Sequence, residues 1–429
     1  MPSGSRKAGV MEENRSLLRY FYLVVAILVV IGCYNVASTT QYMNLEEGLN
    51  SYKTLLKHGA TLILGLACLG FVSTRYGFSW VTSRRMIKVL AGLTVVSLLL
   101  VAVGGQEVNG ARRWLNLGGI TFQPSELAKI AAILWAADHL AERIMHREKV
   151  FFLSEAILKV FGERKKETWP MVYANYWPIL VPLIFALMVY RQPDMGTAVL
   201  ILMFPAFLYI FSGAPDTGLA ISLAGAALYL LSIQASYRMD RFTAFLHYEQ
   251  FADGIGYQTM QSLIAVGSGG ILGQGTGNGL SKFHYLPEQH TDFAFAVWCQ
   301  EWGLIGAVLV VLLLLFVIAI GLSLGSRLHS VRLSLIVYGC SLLIGVQGLL
   351  NVAMVIGCFP VTGVPLPFIS YGGTALLTNL IAVGLIAGAV SEDGRREKQK
   401  PSREFIPETK LSDVAGATFR VPGGNGRRG

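Results

Sequence analysis

The sequence predicts an all-α, polytopic membrane protein of about ten transmembrane helices, with both termini cytoplasmic and one large extracytoplasmic loop. Three observations predict it. Of 429 residues 53% are hydrophobic and only 14% charged, against about 25% charged in soluble domains. Apolar stretches long enough to cross ~30 Å of hydrocarbon recur along the chain. The basic residues are also asymmetric: with the N-terminus inside, 26 Lys and Arg fall in inward segments and 8 in outward ones, with Lys129 inside a span. Positive charge held inside fixes the orientation and accounts for the net charge of +9 without a nucleic-acid partner.

Taken in order, residues 1–18 form a short cytoplasmic tail and residues 19–391 the membrane domain. Its spans lie near 19–38, 55–72, 86–103, 124–142, 176–190, 196–212, 218–235, 294–322, 333–357 and 373–390. The first lacks a small-residue cleavage site before Gln41 and reads as a retained span. Cys33, Cys68, Cys299, Cys340 and Cys358 show no CxxC or CxxH spacing, so neither zinc nor a disulfide framework is indicated. Residues 143–170 alternate aromatic, aliphatic and basic side chains, which suits an anionic leaflet or ordinary positive-inside anchoring. Residues 392–429 have the charge, Pro and Gly content of a disordered cytoplasmic tail.

The outward loops carry the chemistry. Before the fourth span, Arg112 and Arg113 stand beside Trp114 against the positive-inside trend. Paired guanidinium forks suit phosphate or pyrophosphate, while interfacial anchoring or a bond to Glu107 is the plainer alternative. Pro124 and Ser125 read as a helix start with Ser125 as N-cap. Glu126 and Lys129 follow three apart on one face. Charges at membrane depth must face the bundle interior or a wet cavity, so this pair is either a site or a structural tie.

The turn Gln192-Pro193-Asp194 leads into the sixth span, with Asp194 a candidate cap. The loop 236–294 is too rich in aromatics for disorder. Its run GSGGILGQGTGNG (267–279) lacks the Lys-Ser/Thr of a P-loop and reads as a re-entrant or interfacial segment. Glu288, His290 and Asp292 then cluster at the mouth of the eighth span. Asp292 suits an N-cap, a general base or a divalent-cation ligand, whereas His284 and His290 alone make no metal site. In PVTGVPLPFISYGG (360–373) the prolines forbid a regular helix. Irregular backbone at membrane depth must be buried or line a cavity, which places Ser370 and Tyr371 within reach of a ligand.

These motifs in this order, NGARRWL (109–115), FQPSELAK (122–129), QPDMGTA (192–198), GYQTMQSLIAVGSGG (256–270), LPEQHTDFAFAV (286–297) and PVTGVPLPFISYGG (360–373), closely resemble the SEDS family of shape, elongation, division and sporulation proteins. The resemblance runs over roughly residues 19–390 and is closer to division-type than to elongation-type members. It implies a peptidoglycan glycosyltransferase polymerising lipid II into β-1,4 glycan strands on the outer face of the cytoplasmic membrane during septal synthesis. It also implies a monofunctional class B penicillin-binding protein as partner, with other divisome membrane proteins, and Asp292 as the catalytic residue.

Arg112, Arg113, Glu126, Lys129, His290, Ser370 and Tyr371 are then expected to bind substrate, with Arg112, Arg113 and Lys129 stabilising the departing pyrophosphate. A divalent cation, Mg or Mn, held by Asp292 is left open. Ala294 and Trp298–Gln300 depart from the family's usual FIFAVIGEE wording, although Glu301 is kept. The competing readings are a lipid II flippase, an elongation-type polymerase and a recruiting scaffold. A flippase needs access from both faces, and these candidates all lie on one side, without an obvious inverted repeat.

Overall fold

The computed structural model describes residues 3–108, 111–118, 120–145, 165–232, 243, 245–251, 254, 256–283 and 285–399. The helices are α1 (Ser3–Glu46), α2 (Lys53–Ser73), α3 (Arg75–Val81), α4 (Arg84–Gly104), α5 (Pro124–Met145), α6 (Lys165–Tyr190), α7 (Met195–Phe211) and α8 (Pro215–Ser232). They continue with α9 (Tyr257–Ser268), α10 (Ala294–Arg327), α11 (Val331–Val355) and α12 (Gly373–Gln399). The expected apolar stretches fall on these helices, and six of them (α1, α2, α4, α10, α11 and α12) are long and apolar enough to cross a membrane. Helix α7, at 17 residues, is shorter, and α5 carries Glu126, Lys129 and Asp138 within its apolar sequence. Residues 146–164, His284 and the tail from 400 lie outside the described residues, and with them most of the amphipathic segment and the expected disordered tail.

Helix α5 is the axis of the bundle. It packs against α4, α6, α7, α11 and α12, and its alanines at 128, 131, 132, 136, 137 and 141 are buried. Small side chains let neighbouring backbones approach, which is how helices associate where lipid removes the hydrophobic drive. The outer helices behave oppositely: α2 exposes Leu56, Ile63 and Leu64, and α4 exposes Leu93, Val96 and Leu100. Those surfaces are apolar because hydrocarbon, not water, is their solvent.

The structure corrects the all-α expectation in one place. The loop before α5 is a three-stranded antiparallel sheet of β1 (Gln106–Val108), β2 (Ala111–Leu117) and β3 (Ile120–Phe122), in the order β1-β2-β3. Glu107 pairs with Arg112 across β1 and β2, and Leu115 with Phe122 across β2 and β3. The Asn109-Gly110 dipeptide between the first two strands is a strong two-residue hairpin signal. The meander leaves the chain at Pro124, which begins α5 itself. Proline suits a first helical position because its missing N–H is not needed there. Ser125 therefore lies inside the first turn and is not the expected N-cap.

The glycine-rich run docks on α10. Helix α10 is broken at Gly303 (φ 64°, ψ −162°), and the loop fills the break with backbone hydrogen bonds. Gln274 N donates to Gln300 O at 3.0 Å, Gly275 N to Glu301 O at 3.1 Å, and Leu304 N to Gly270 O at 2.9 Å. A Cβ on Gly303 would stand 2.4 Å from Gly273 N, so the two strands of this junction meet backbone to backbone. The loop's amides thus serve carbonyls that the helix break leaves open.

At the opposite end, Asp138 of α5 pairs with Arg332 of α11 at 2.7 Å and with Arg84 of α4 at 3.5 Å. Arg332→Ala should lower stability by about 3 kcal/mol, the low end for breaking a buried pair, because Arg84 still reaches Asp138. Thermal melting of the detergent-purified protein measures it. An unchanged melting temperature would show that the pair is not structural.

Candidate functional site

The site is assembled where the starts of α5, α10 and α12 meet the meander. Its base is a row of buried polar side chains. Lys129 is 0% exposed and Glu126 1%. The Lys129 ammonium donates to Glu126 Oε1 at 2.7 Å and to Gln347 Oε1 of α11 at 2.6 Å. Gln347 Nε2 donates in turn to Pro365 O at 3.0 Å. One helical turn on, Asn351 Nδ2 donates to both Val364 O and Asp292 O at 2.8 Å. Residues four apart share a helix face, so α11 offers two amides to one loop.

That loop, 360–373, and the segment before α10 hold each other. Tyr371 N donates to His290 O at 2.8 Å, and the Ser370 hydroxyl to Thr291 O at 2.6 Å. With Asn351 on Asp292 O, three successive carbonyls are gripped by side chains or backbone of other elements. Ser370 Oγ also accepts from Leu366 N at 2.9 Å, so this hydroxyl fixes backbone on both sides. The Tyr371 ring lies between those of His290 and His58 of α2, at centroid distances of 5.9 and 6.1 Å.

Asp292 is not the N-cap of α10. That position belongs to Phe293, which makes no side-chain cap. The Asp292 carboxylate instead faces Gly363 of the loop: a Cβ built on Gly363 would stand 3.4 Å from Asp292 Oδ2 and 3.6 Å from Arg113 Nη1. Arg113 is brought there by β2 and by the turn before α7. Its Nε donates to Gln192 O at 3.3 Å and its Nη2 to Pro193 O. Asp194 fixes that turn by accepting from Thr197 N at 3.2 Å and from Gln123 Nε2 at 3.4 Å. The expected cap is therefore present, and it also ties α7 to the entry of α5.

The candidates thus separate. Arg113 and Asp292 meet around Gly363, while Arg112 points away and pairs with Glu107 at 3.3 Å on the exposed side of the sheet. Lys129 and Glu126 lie beneath the loop as its support, and Ser370 holds backbone. His290 is half-buried, its Nδ1 has no partner among the described residues, and desolvation pushes its pKa below the ordinary 6.5, partly opposed by Glu288. Gln347, Asn351 and Gly363 escaped the sequence reading. The signal for the first two was there: amides one turn apart in an otherwise apolar span are expensive unless used. Among the described residues no group of three or more His, Cys, Asp and Glu could hold a metal ion. Arg113 Nη1 reaches the same glycine as Asp292 Oδ2 and so brings positive charge toward the carboxylate that a divalent ion would use.

These features define a multi-pass helical membrane protein with a backbone-braced cluster of polar and charged side chains at one end of its bundle. A family model covering FtsW, RodA and SpoVE and described as Cell cycle protein matches residues 18–394. The chain belongs to that family, as the SEDS resemblance anticipated. A similar curated relative, from Coxiella burnetii, is named probable peptidoglycan glycosyltransferase FtsW. It is 36% identical over 379 residues, covering 84% of this chain and 92% of its own length. A chain of a peptidoglycan synthase complex, solved for the coordination of polymerization and crosslinking, superposes with a TM-score of 0.63. It is 27% identical and covers 87% of this chain and 97% of its own. The rod shape determining protein RodA of Thermus thermophilus gives 0.57 at 25% identity, over 89% and 97%.

Two outcomes test this geometry. Lys129→Met strands the buried Glu126 carboxylate and should cost ~3–5 kcal/mol, most of it restored by adding Glu126→Gln. A double variant that melts as low as the single one would refute mutual neutralisation. His290 has a depressed pKa, so between pH 6.5 and its native value the unfolded state binds the extra proton. Stability should fall as pH drops below 6.5, and His290→Gln should flatten that fall in melting curves between pH 7 and 5.

Proposed function

We propose that this chain polymerises lipid II into β-1,4 glycan strands on the outer face of the cytoplasmic membrane, for septal wall synthesis, beside a class B penicillin-binding transpeptidase. The observation that carries the reading is the meeting of a carboxylate and a guanidinium, Asp292 and Arg113, over one glycine. Relatives named as peptidoglycan glycosyltransferases support the reaction class, and the likeness to a chain of a synthase complex supports the partner. The excess of Lys and Arg in the segments opposite the site supports an outward-facing site, ten spans and cytoplasmic termini.

In this reading the acceptor sugar's hydroxyl gives its proton to Asp292 as its oxygen bonds to the donor's anomeric carbon. The bond from that carbon to the undecaprenyl pyrophosphate breaks, and its electron pair leaves on the diphosphate. A β product from an α-linked donor needs one displacement with inversion. A single base on the acceptor side suffices, unlike the paired carboxylates of a retaining glycosidase. Arg113 is the cation held at the reacting centre, and charge fixed in place before reaction is the most effective kind. Arg112, exposed on the other face of its strand, is left for the outer part of the diphosphate or its headgroup. Lys129 and Glu126 act through the loop they support, and no step passes through a metal.

The flippase reading has less support, since the candidate substrate-contacting groups that converge, Arg113 and Asp292, do so at one end of the bundle, whereas the charges at the other end are closed into ion pairs around Asp138. Asp292→Ala should lower polymerisation of lipid II in detergent by ~10²–10⁴-fold. Expression and co-purification with the transpeptidase should be unchanged. Normal polymer from that variant removes Asp292 from the mechanism, and a wild-type protein that makes none in detergent with its transpeptidase removes the polymerase reading.

A further inference from the structure

The turn Gln192-Pro193-Asp194 and the glycine at 363 have a common purpose that the reaction alone does not require. The two backbone carbonyls of the turn take Nε and Nη2 of Arg113, which fixes the plane of the guanidinium and directs Nη1 toward Gly363. Across from it, Asp292 is fixed through its own carbonyl by Asn351. The same Asn351 amide holds Val364 O, so Gly363 sits in a stretch pinned to both. The turn and the loop are in contact as well: a Cβ on Gly196 would stand 2.7 Å from Thr362 Cβ. Gly363 is left-handed, at φ 70°, a conformation that costs other residues roughly 1–2 kcal/mol.

We infer that the space over the Gly363 Cα, left open by the absence of a Cβ, is where the attacking hydroxyl docks between Asp292 and Arg113. The inference rests on the glycosyltransferase reading and deepens it. An oxygen at that point meets an acceptor, the carboxylate, on one side and a donor, the guanidinium, on the other. A phosphoryl oxygen would be repelled by Asp292, and a cation by Arg113. A hydroxyl serves both, donating to Asp292 Oδ2 and accepting from Arg113 Nη1. Asp292 Oδ2 and Arg113 Nη1 lie 3.4 and 3.6 Å from the vacant Cβ position, so a hydroxyl resting in van der Waals contact on the Gly363 Cα is flanked by both. The proton then lies on the path to the base, and Arg113 orients the lone pair that attacks. Gly363 is thus a specificity-determining position, and the turn before α7 is a positioning device for Arg113.

The test separates space from backbone strain, because the chain holds a matched control. Gly357 has φ 71°, almost that of Gly363, but a Cβ there meets only the flexible Leu263 side chain. Gly363→Ala and Gly357→Ala should therefore melt at similar temperatures. With lipid II and the cognate transpeptidase, Gly363→Ala should lose roughly 100-fold in kcat/KM. Gly357→Ala should stay within about threefold of the parent protein. Equal activities of the two variants would overturn the inference. If they are equal while Asp292→Ala is inactive, the seat alone is wrong. If Asp292→Ala is active, the glycosyltransferase site itself is wrong. Should Gly363→Ala not fold, the wild-type protein decides: a lipid II analogue with hydrogen in place of the attacking hydroxyl should bind at least ~10-fold more weakly. Equal affinity would refute the seat.

Discussion

A lysine ammonium with no exposure to solvent must hand its protons to neighbours, and much of this site follows from how Lys129 does so. Glu126 neutralises it and Gln347 accepts from it. The Gln347 amide is then oriented with its nitrogen toward the loop, where Pro365 O receives it. The charge pair inside α5 therefore sets the direction of an amide on α11, and that amide sets the position of the proline-rich loop. Removing charge from this ladder would leave a carbonyl or a carboxylate without its partner inside the protein, a penalty larger than the modest gain from making one hydrogen bond.

The loop and the entry to α10 obey the same rule one layer further out. Neither is a regular helix, so some of their carbonyls must be answered from outside the segment, since irregular backbone at membrane depth cannot rely on water. Asn351, Ser370 and Tyr371 answer three carbonyls in sequence, at Asp292, Thr291 and His290. In the proposed mechanism the Asp292 carboxylate gains from this arrangement, because its backbone is located by groups that take no part in the chemistry. Asp292 is placed in this way without serving as the cap that the sequence offered as its simplest use.

The helices were legible in the sequence because hydropathy over a span is a sum that tolerates local error, and the expected apolar stretches fall on helices. The finer site was legible only in part. Adjacent arginines at 112 and 113 looked like one bidentate receptor, but successive residues of a strand face opposite ways. Arg112 therefore meets Glu107 outside while Arg113 turns inward to the turn before α7. Reading the Asn-Gly dipeptide as a hairpin would have separated them. Lys129 was correctly paired with Glu126, but depth along a helix is not written in spacing, and its support role depends on Gln347 more than two hundred residues away. Gly363 gave no warning at all, since its importance lies in two side chains brought to it by other elements.

The departure from the family's wording in α10 follows from the same accounting of charge. Glu301 accepts from Tyr34 at 2.9 Å and Ser38 at 2.6 Å, and faces Lys282 at 3.3 Å, with both ionised side chains buried. The family's usual pair of acids would put a second carboxylate next to it. Here the preceding residue is Gln300, whose oxygen accepts from Ser281 N and Oγ while its nitrogen donates to Ser268. A carboxylate could not make that donation, and one lysine would then face two anions. The neighbouring Trp298 spans the break at Gly303 by donating to Gly306 O at 2.8 Å and stacks on Trp302 at 5.1 Å. The substitutions thus form a consistent set: one acid for one lysine, an amide to pin the glycine-rich segment, and an indole to close the gap where the helix breaks.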